Sequence, residues 1–349
     1  MGDAGRGRAF IGSFTSSGGR GIVVAAVDAA TGALTETGVI DAVPDPSYLA
    51  LDRPGAGAVL YAVSETARGS VAAYDIAGPA ARPIGVPVAV RGEEPTHLSV
   101  AHGHLLTANY GSGSVTVLPL AADGAPRSPS DVRQFSGSGP DPDRQRGPHA
   151  HQVLFDPSRR WVLSVDLGSD AVRVHSLDTR AGTLALKGET ALPPGTGPRH
   201  LAFHPSGRHA YLLGELDPTV TVCRWDAAAG VLEPVGATPL FPGGTESAVS
   251  PSAPVVSADG RFLWAAVRGP DTIAVLALDA AGERAELIDS VPCGGRWPRD
   301  LALHPSGTRL YAANERSGDV TWLDVDPATG IPHRAGSLPV PAASNVLFA

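Results

Sequence analysis

Residues 197–222 read GPRHLAFHPSGRHAYLLGELDPTVTV, and residues 297–322 read WPRDLALHPSGTRLYAANERSGDVTW. The second stretch is a close copy of the first. Two looser copies lie at 149–174 (HAHQVLFDPSRRWVLSVDLGSDAVRV) and 250–275 (SPSAPVVSADGRFLWAAVRGPDTIAV). A self-similar period of roughly fifty residues marks a repeat architecture, so the repeat is read before any single residue. Leu201 and Phe203, like Leu301 and Leu303, alternate with the period of two that belongs to strands. The following runs, YLLG and LYAAN, are too short for helices. Between the runs lie His204-Pro205-Ser206-Gly207 and His304-Pro305-Ser306-Gly307. Pro at the second position and Gly at the fourth spell type I turns. His204 and His304 are therefore read as turn residues rather than ligands.

Extended outward, the unit recurs from Pro46, Pro95, Ala150, Pro198, Pro251 and Pro298. A further first unit has visible strands at Ala9–Phe14, Gly21–Asp28 and Leu34–Ile40 but no initial strand. The C-terminal residues Ala343–Ala349 have the character of that missing strand. Seven units of four strands predict an all-β fold: a seven-bladed β-propeller, read as one domain over residues 1–349, closed by N- and C-terminal strands in one sheet. The stretch Asp123–Gly147, rich in Pro, Gly, Asp and Arg, reads as a long loop near one face. His102 and His104, around a glycine turn, read as surface residues.

Composition narrows the function classes. The net charge of −8 argues against a general nucleic-acid partner. No apolar run has membrane-spanning length, and MGDAGRGRAF has no apolar signal core, so a soluble cytoplasmic protein is expected. Cys223 and Cys293 suggest no disulfide framework. Gly111-Ser112-Gly113-Ser114 has no helix after it and reads as a strand turn, not a phosphate loop. No G-x-S-x-G elbow is present.

In a propeller the first strand of each blade lines the central channel. Its opening residues are Ser47, Thr96, His151, Arg199, Ser252 and Arg299, followed by Tyr48, His97, Gln152, His200, Ala253 and Asp300. At the end of the second strand stand Asn109, Asp166 and Asn314, then Tyr110, Glu215, Arg268 and Glu315. Packing alone would choose small or apolar residues there, because buried charges are costly unless paired. One reading is a channel of interlocking ion pairs. The other is a polar pocket at the mouth for an anionic, oxygen-rich small molecule, since guanidinium groups of Arg199, Arg268 and Arg299 suit carboxylate or phosphate. His149 and His151 alternate along a strand and could both face the channel. No third ligand follows at a recognisable spacing, so no metal is read, and no cofactor. An imidazole acid or base is the preferred role.

At PHAHQV (Pro148–Val153), VDLGSDAV (Val165–Val172), Gly197–Leu216, DGRFLWAAVRG (Asp259–Gly269), Pro298–Val320 and ANYGSGSV (Ala108–Val115), the chain resembles the bacterial propeller-type 6-phosphogluconolactonases. Fungal enzymes that interconvert cis,cis-muconates and their lactones belong to the wider group. The likeness spans nearly the whole chain. It implies an active site of His151, Asp166, Arg199, Glu215, Arg268 and Arg299 around the mouth. Ala253 stands where that family usually carries an acidic residue.

The expected activity is hydrolysis of a sugar or related lactone. His151, or Glu215 if burial raises its pKa, takes the proton from water. Arg199 and Arg268 stabilise the oxyanion, and Arg299 binds phosphate or carboxylate. His149, Asp166, His200, Asn109 and Asn314 complete the substrate contacts. One alternative is cyclisation, isomerisation or lactonisation of a specialised metabolite, favoured by Ala253. The other is a binding propeller without chemistry, although Trp225-Asp226 is the lone dipeptide of the interaction-repeat type.

Overall fold

The computed structural model describes residues 7–41, 43–52, 57–241 and 249–349; residues 1–6, which enter the reading of the N-terminus, lie outside them. Seven antiparallel sheets form a ring. Blade 1 runs outward from Ala343–Phe348 through Gly7–Ser13 and Ile22–Val27 to Leu34–Ile40. Blades 2 to 7 begin at the channel with Leu49–Asp52, Pro95–Ala101, Ala150–Phe155, Pro198–Phe203, Ser250–Val256 and Pro298–Leu303. These inner strands touch one another in succession, and Ala343–Phe348 touches both Pro298–Leu303 and Leu49–Asp52, so the circle is complete. The expected seam is present: Phe10 pairs with Leu347 and Ile11 with Val346. Among the described residues the only helical element is one 3₁₀ turn, Thr15–Ser17, and no helix is long and apolar enough to cross a membrane.

Two expectations need correction. Asp123–Gly147 is not loop throughout: Asp131–Gln134 is the outer strand of blade 3, paired with Ser114–Pro119. Its four residues are half-exposed to exposed and only Val132 is apolar, so they carry no apolar alternation. His104 is not a surface residue but opens the buried strand His104–Asn109, with Nδ1 against the carbonyl of His102; His102 itself is exposed. In blade 2 the outer position is shared by two short strands, Arg82–Pro83 and Val88–Ala89.

The apolar residues of the second and third strands fill the gaps between blades. Phe10, Leu60 and Tyr74 pack between blades 1 and 2; Trp161, Leu212 and Trp225 between blades 4 and 5; Trp264, Leu310 and Leu323 between blades 6 and 7. Between blades 2 and 3, 5 and 6, and 7 and 1, a tyrosine of the second strand reaches the next blade by its polar tip. Tyr61 Oη donates to Gly124 O at 2.8 Å, Tyr211 Oη to Gly282 O at 3.0 Å, and Tyr311 Oη to Gly32 O at 2.7 Å. A buried Tyr needs such a partner. Its acceptors lie in turns with positive φ (86°, 77° and 67°), which glycine adopts without strain.

At the axis, side chains bind the backbone of the next blade. Gln152 Oε1 accepts Leu201 N–H at 2.7 Å, Asn345 Oδ1 accepts Leu49 N–H at 3.2 Å, and Ser252 Oγ donates to Pro298 O at 2.7 Å. Asp300 Oδ2 accepts from Val346 N–H at 3.0 Å and from Asn345 Nδ2 at 2.8 Å, across the closing seam. Asp300→Ala would leave two buried donors unpaired, at a cost of about 1–3 kcal/mol. Denaturant unfolding of that variant should show this loss; unchanged stability would remove Asp300 from the seam's support.

Candidate active site

The inner strands do not enter the ladder regularly. Register shifts fall between Ala150 and Gln152, Pro198 and Leu201, Pro251 and Pro254, and Pro298 and Asp300. A bulge breaks the in–out alternation and re-aims side chains. This is why the consecutive residues Arg199 and His200 both line one central cavity, with Ser47, Tyr48, Glu65 and His151. The cavity is small, about 10 Å³, and is also lined by Arg299 and Asp300.

Glu215, directly after the strand His209–Gly214, is the hub of the basic side. Its side chain is 4% exposed. Arg144 Nη2 donates to Glu215 Oε1 at 2.7 Å. Arg199 Nε stands 3.0 Å and Arg268 Nη2 2.9 Å from Oε2, and His151 Nε2 lies 4.0 Å from it. These Oε2 contacts are charge contacts: neither Oε2 nor Arg199 Nε has a hydrogen-bond partner. The inner arginines are further fixed by backbone carbonyls, Arg199 on Ser252 and Arg268 on Ser250 and Pro251. Burial favours the neutral acid of Glu215, but the charges of Arg268 and Arg199, with Arg144, outweigh it and hold the carboxyl well below its usual range. The condition for Glu215 as base, a pKa raised by burial, is not met. Glu215 is a fixed anion.

His151 has the opposite fate. Burial first, then Arg199, hold its pKa well below the ordinary imidazole value. The ring is neutral at neutral pH, and Nδ1 has no partner. His200 stands 5.1 Å from it and His97 a further 5.4 Å from His200, centroid to centroid. Burial and Arg199 hold both of these neutral too, with His97 lowered to about 3. Arg199 is pulled down by burial and by Arg268 to about 9, and stays charged at pH 7.

Other expected site residues lie elsewhere. His149 precedes the inner strand, half-buried at the rim; it stacks on Tyr110 at 4.4 Å and does not stand beside His151 in the channel wall. The bulge after Ala150 breaks the alternation that would have paired them. Asp166 is scaffold: Oδ1 accepts N–H groups of His149, Gly168 and Ser169, and Oδ2 pairs with Arg173 at 2.7 Å. Asn109 Nδ2 donates to Ser114 and Thr116, and Asn314 Nδ2 to Thr321. These three side chains are engaged in strand turns, and Asn314 Oδ1 has no hydrogen-bond partner.

Three participants were not read from the sequence. Arg144 reaches Glu215 from the segment between blades 3 and 4 and also donates to Tyr110 Oη. Glu65 follows the strand Val59–Ser64 as Glu215 follows its own, so the column already held it. Ser47 Oγ donates to Glu65, whose carboxyl is raised by burial against the opposing charge of Arg299. Phe14 occupies the same column in blade 1 and carries Arg299 over its ring at 4.7 Å. Among the described residues no three His, Cys, Asp or Glu side chains are grouped to hold a metal ion.

A seven-bladed ring with a buried Glu–Arg–His cluster at its axis defines a class of propeller with a polar axial site. The sequence profile described as "Lactonase, 7-bladed beta-propeller" matches residues 8–348, and the chain belongs to that family. It is 33% identical over 325 residues to the 6-phosphogluconolactonase of Bacillus subtilis, covering 92% of each chain. Among solved structures it resembles a Lactobacillus plantarum protein (TM-score 0.92, 31% identity, 99% of each chain). It also resembles the periplasmic gluconolactonase of Pseudomonas aeruginosa (TM-score 0.91, 30% identity, 99% of each chain).

The neutral histidines set a pH dependence of stability. Unfolded, His97, His151 and His200 take protons near pH 6.5; folded, they resist them. The lowered pKa values therefore leave stability intact above 6.5 and erode it as pH falls toward the folded values. Between about pH 6 and 4.5 unfolding should take up about three extra protons, and the melting temperature should drop steadily. His97→Gln should make that slope shallower. A flat melting temperature over this window would show the imidazoles already charged in the folded protein.

Proposed function

We propose that the protein hydrolyses lactones of the 6-phosphogluconolactone kind, with an anionic substrate, at the Glu215–Arg199–Arg268–His151 cluster. The observation that carries this reading is a neutral, buried imidazole with a free Nδ1 beside a permanently ionised carboxylate and two fixed guanidinium groups. Water attacks the lactone carbonyl carbon and gives its proton to His151 Nδ1. The carbonyl oxygen becomes an oxyanion in the field of Arg199 and Arg268, which are held in place before the substrate arrives. The ring C–O bond then breaks, and the departing alkoxide recovers the proton from His151. Glu215 balances the imidazolium while it exists.

Water is the nucleophile in this reading because the alternatives are spent. Ser47 donates to Glu65, and Ser344 to the carbonyl of Ser47. Burial pushes the thiols of Cys223 and Cys293 up to about 12 and about 11, so neither is a thiolate at neutral pH. The methyl of Ala253 packs with Phe262, Trp264 and Leu301 between blades. The replacement of an acidic residue there leaves the Glu215 cluster whole, which favours hydrolysis over a repurposed cyclising pocket. A binding propeller without chemistry has no use for such a buried charge cluster. A cytoplasmic setting goes with a phosphorylated substrate.

Acid release from freshly made 6-phosphogluconolactone, glucono-δ-lactone and plain γ- and δ-lactones, read against spontaneous opening, tests the proposal. His151→Ala and Arg199→Ala should each lose about a hundredfold in kcat/KM with the fold retained. Full activity in either variant removes that residue from the chemistry. The lowered pKa of His151 means that the base loses its lone pair only in acid. The kcat/KM profile should therefore stay level through pH 6.5 and fall only well below it. An acid limb already evident above pH 7 would mean that another group supplies the base.

A further inference from the structure

The charges around the mouth are sorted by position. Blades 5 and 6 and the segment before blade 4 contribute Arg199, Arg268 and Arg144 against one carboxylate, Glu215. Blades 7, 1 and 2, the other arc of the ring, contribute Arg299 against two carboxylates. Arg299 Nη1 lies 3.3 Å from Glu315 Oε2, and Nη2 lies 3.6 Å from Glu65 Oε1. The first arc has a surplus of positive charge, the second a surplus of negative charge. Arg299 therefore does not offer an anion a free partner, because its two edges already face carboxylates.

We propose that Glu65 and Glu315, bracketing Arg299 above Phe14, form a polyol subsite that takes the hydroxyl groups of a hydroxylated lactone, while the anionic end of the substrate goes to Arg144 and Arg268. This rests on the lactonase reading and names which chemical face of the substrate meets which wall. A carboxylate accepts hydrogen bonds from two neighbouring hydroxyls, and such charge-assisted bonds are the stronger kind. Arg299 holds the two carboxylates apart and is steadied by the Phe14 ring. All three charged side chains are part-exposed, between 14% and 23%; Glu65 and Arg299 line the cavity, and Glu315 reaches the same arc through Arg299. The cavity that Glu65 and Arg299 line is also lined by His151, 5% exposed, whose buried Nδ1 has no hydrogen-bond partner. A hydroxylated lactone bridging the arcs would place its ring carbonyl between the polyol wall and the Glu215 cluster.

The experiment compares glucono-δ-lactone with δ-valerolactone, which has the same ring without hydroxyls, in the parent, Glu65→Gln and Glu315→Gln. Melting temperature reports folding, so a failure of one variant leaves the other as the test. The preference for the hydroxylated lactone, as a ratio of kcat/KM values, should fall about tenfold in each variant, as expected for a lost charged hydrogen bond. Equal losses on both substrates, or an unchanged preference, overturn the subsite. Calorimetric titration with gluconate and hexanoate separates the two readings. If the parent opens no lactone yet binds gluconate over hexanoate, and the variants lose that discrimination, the hydrolase reading fails and the subsite stands. If parent and variants bind the two acids alike, the subsite fails whatever the activity.

Discussion

Ala343–Phe348 pairs with Gly7–Ser13, and that ladder turns a row of blades into a ring. Without it, Gly7–Ser13 would present an unpaired strand edge to the axis. Asp300 would lose both donors it accepts from blade 1, and Leu49 N–H would lose Asn345. Closure also fixes the diameter of the channel. The distance between the acidic arc and the basic arc is then a property of the whole ring, not of any one loop.

A narrow axis creates the electrostatic problem that the site answers. Arg199 and Arg268 are buried, and an isolated buried guanidinium is costly. Glu215 offsets both, and Arg144 adds a third contact from outside the ring. The histidines solve the same problem differently, by remaining neutral. The inner wall therefore combines fixed ions with uncharged imidazoles.

Much of the fold was legible because it is repetitive. The HPSG turns, the short apolar runs and the orphan tail at Ala343 each gave the same register, and the ring follows from them. Polar residues in the inner-strand columns also announced the axis, and His151, Arg199 and His200 all line it. In the neighbouring column Asn109, Asp166 and Asn314 bond within strand turns, and a buried strand turn demands polar side chains as firmly as a ligand does. Only hydrogen-bond partners distinguish the two demands. Arg144 was beyond sequence reasoning for another reason: it meets Glu215 across 71 residues of chain, from an irregular segment with no column to place it in. Glu65 and Phe14 were legible in principle, since they follow second strands just as Glu215 and Glu315 do. The alternation argument for His149 failed at a bulge that no residue of PHAHQV spells.

The three arginines on Glu215 are not equivalent, and the difference orders their roles. Arg199 and Arg268 are held by backbone carbonyls as well as by Glu215, so moving either would strand a buried charge. They supply a fixed field. Arg144 is 38% exposed and sits on a segment outside the sheets, bonded to Glu215 and Tyr110 by side chain alone. If it turned to an incoming anion, Glu215 would give up its hydrogen bond but keep the charges of Arg199 and Arg268 beside it. Such an exchange would admit substrate without unpairing the core of the site. The preorganised charges stay where the ring puts them, and adaptation is confined to the one cation that the ring does not hold.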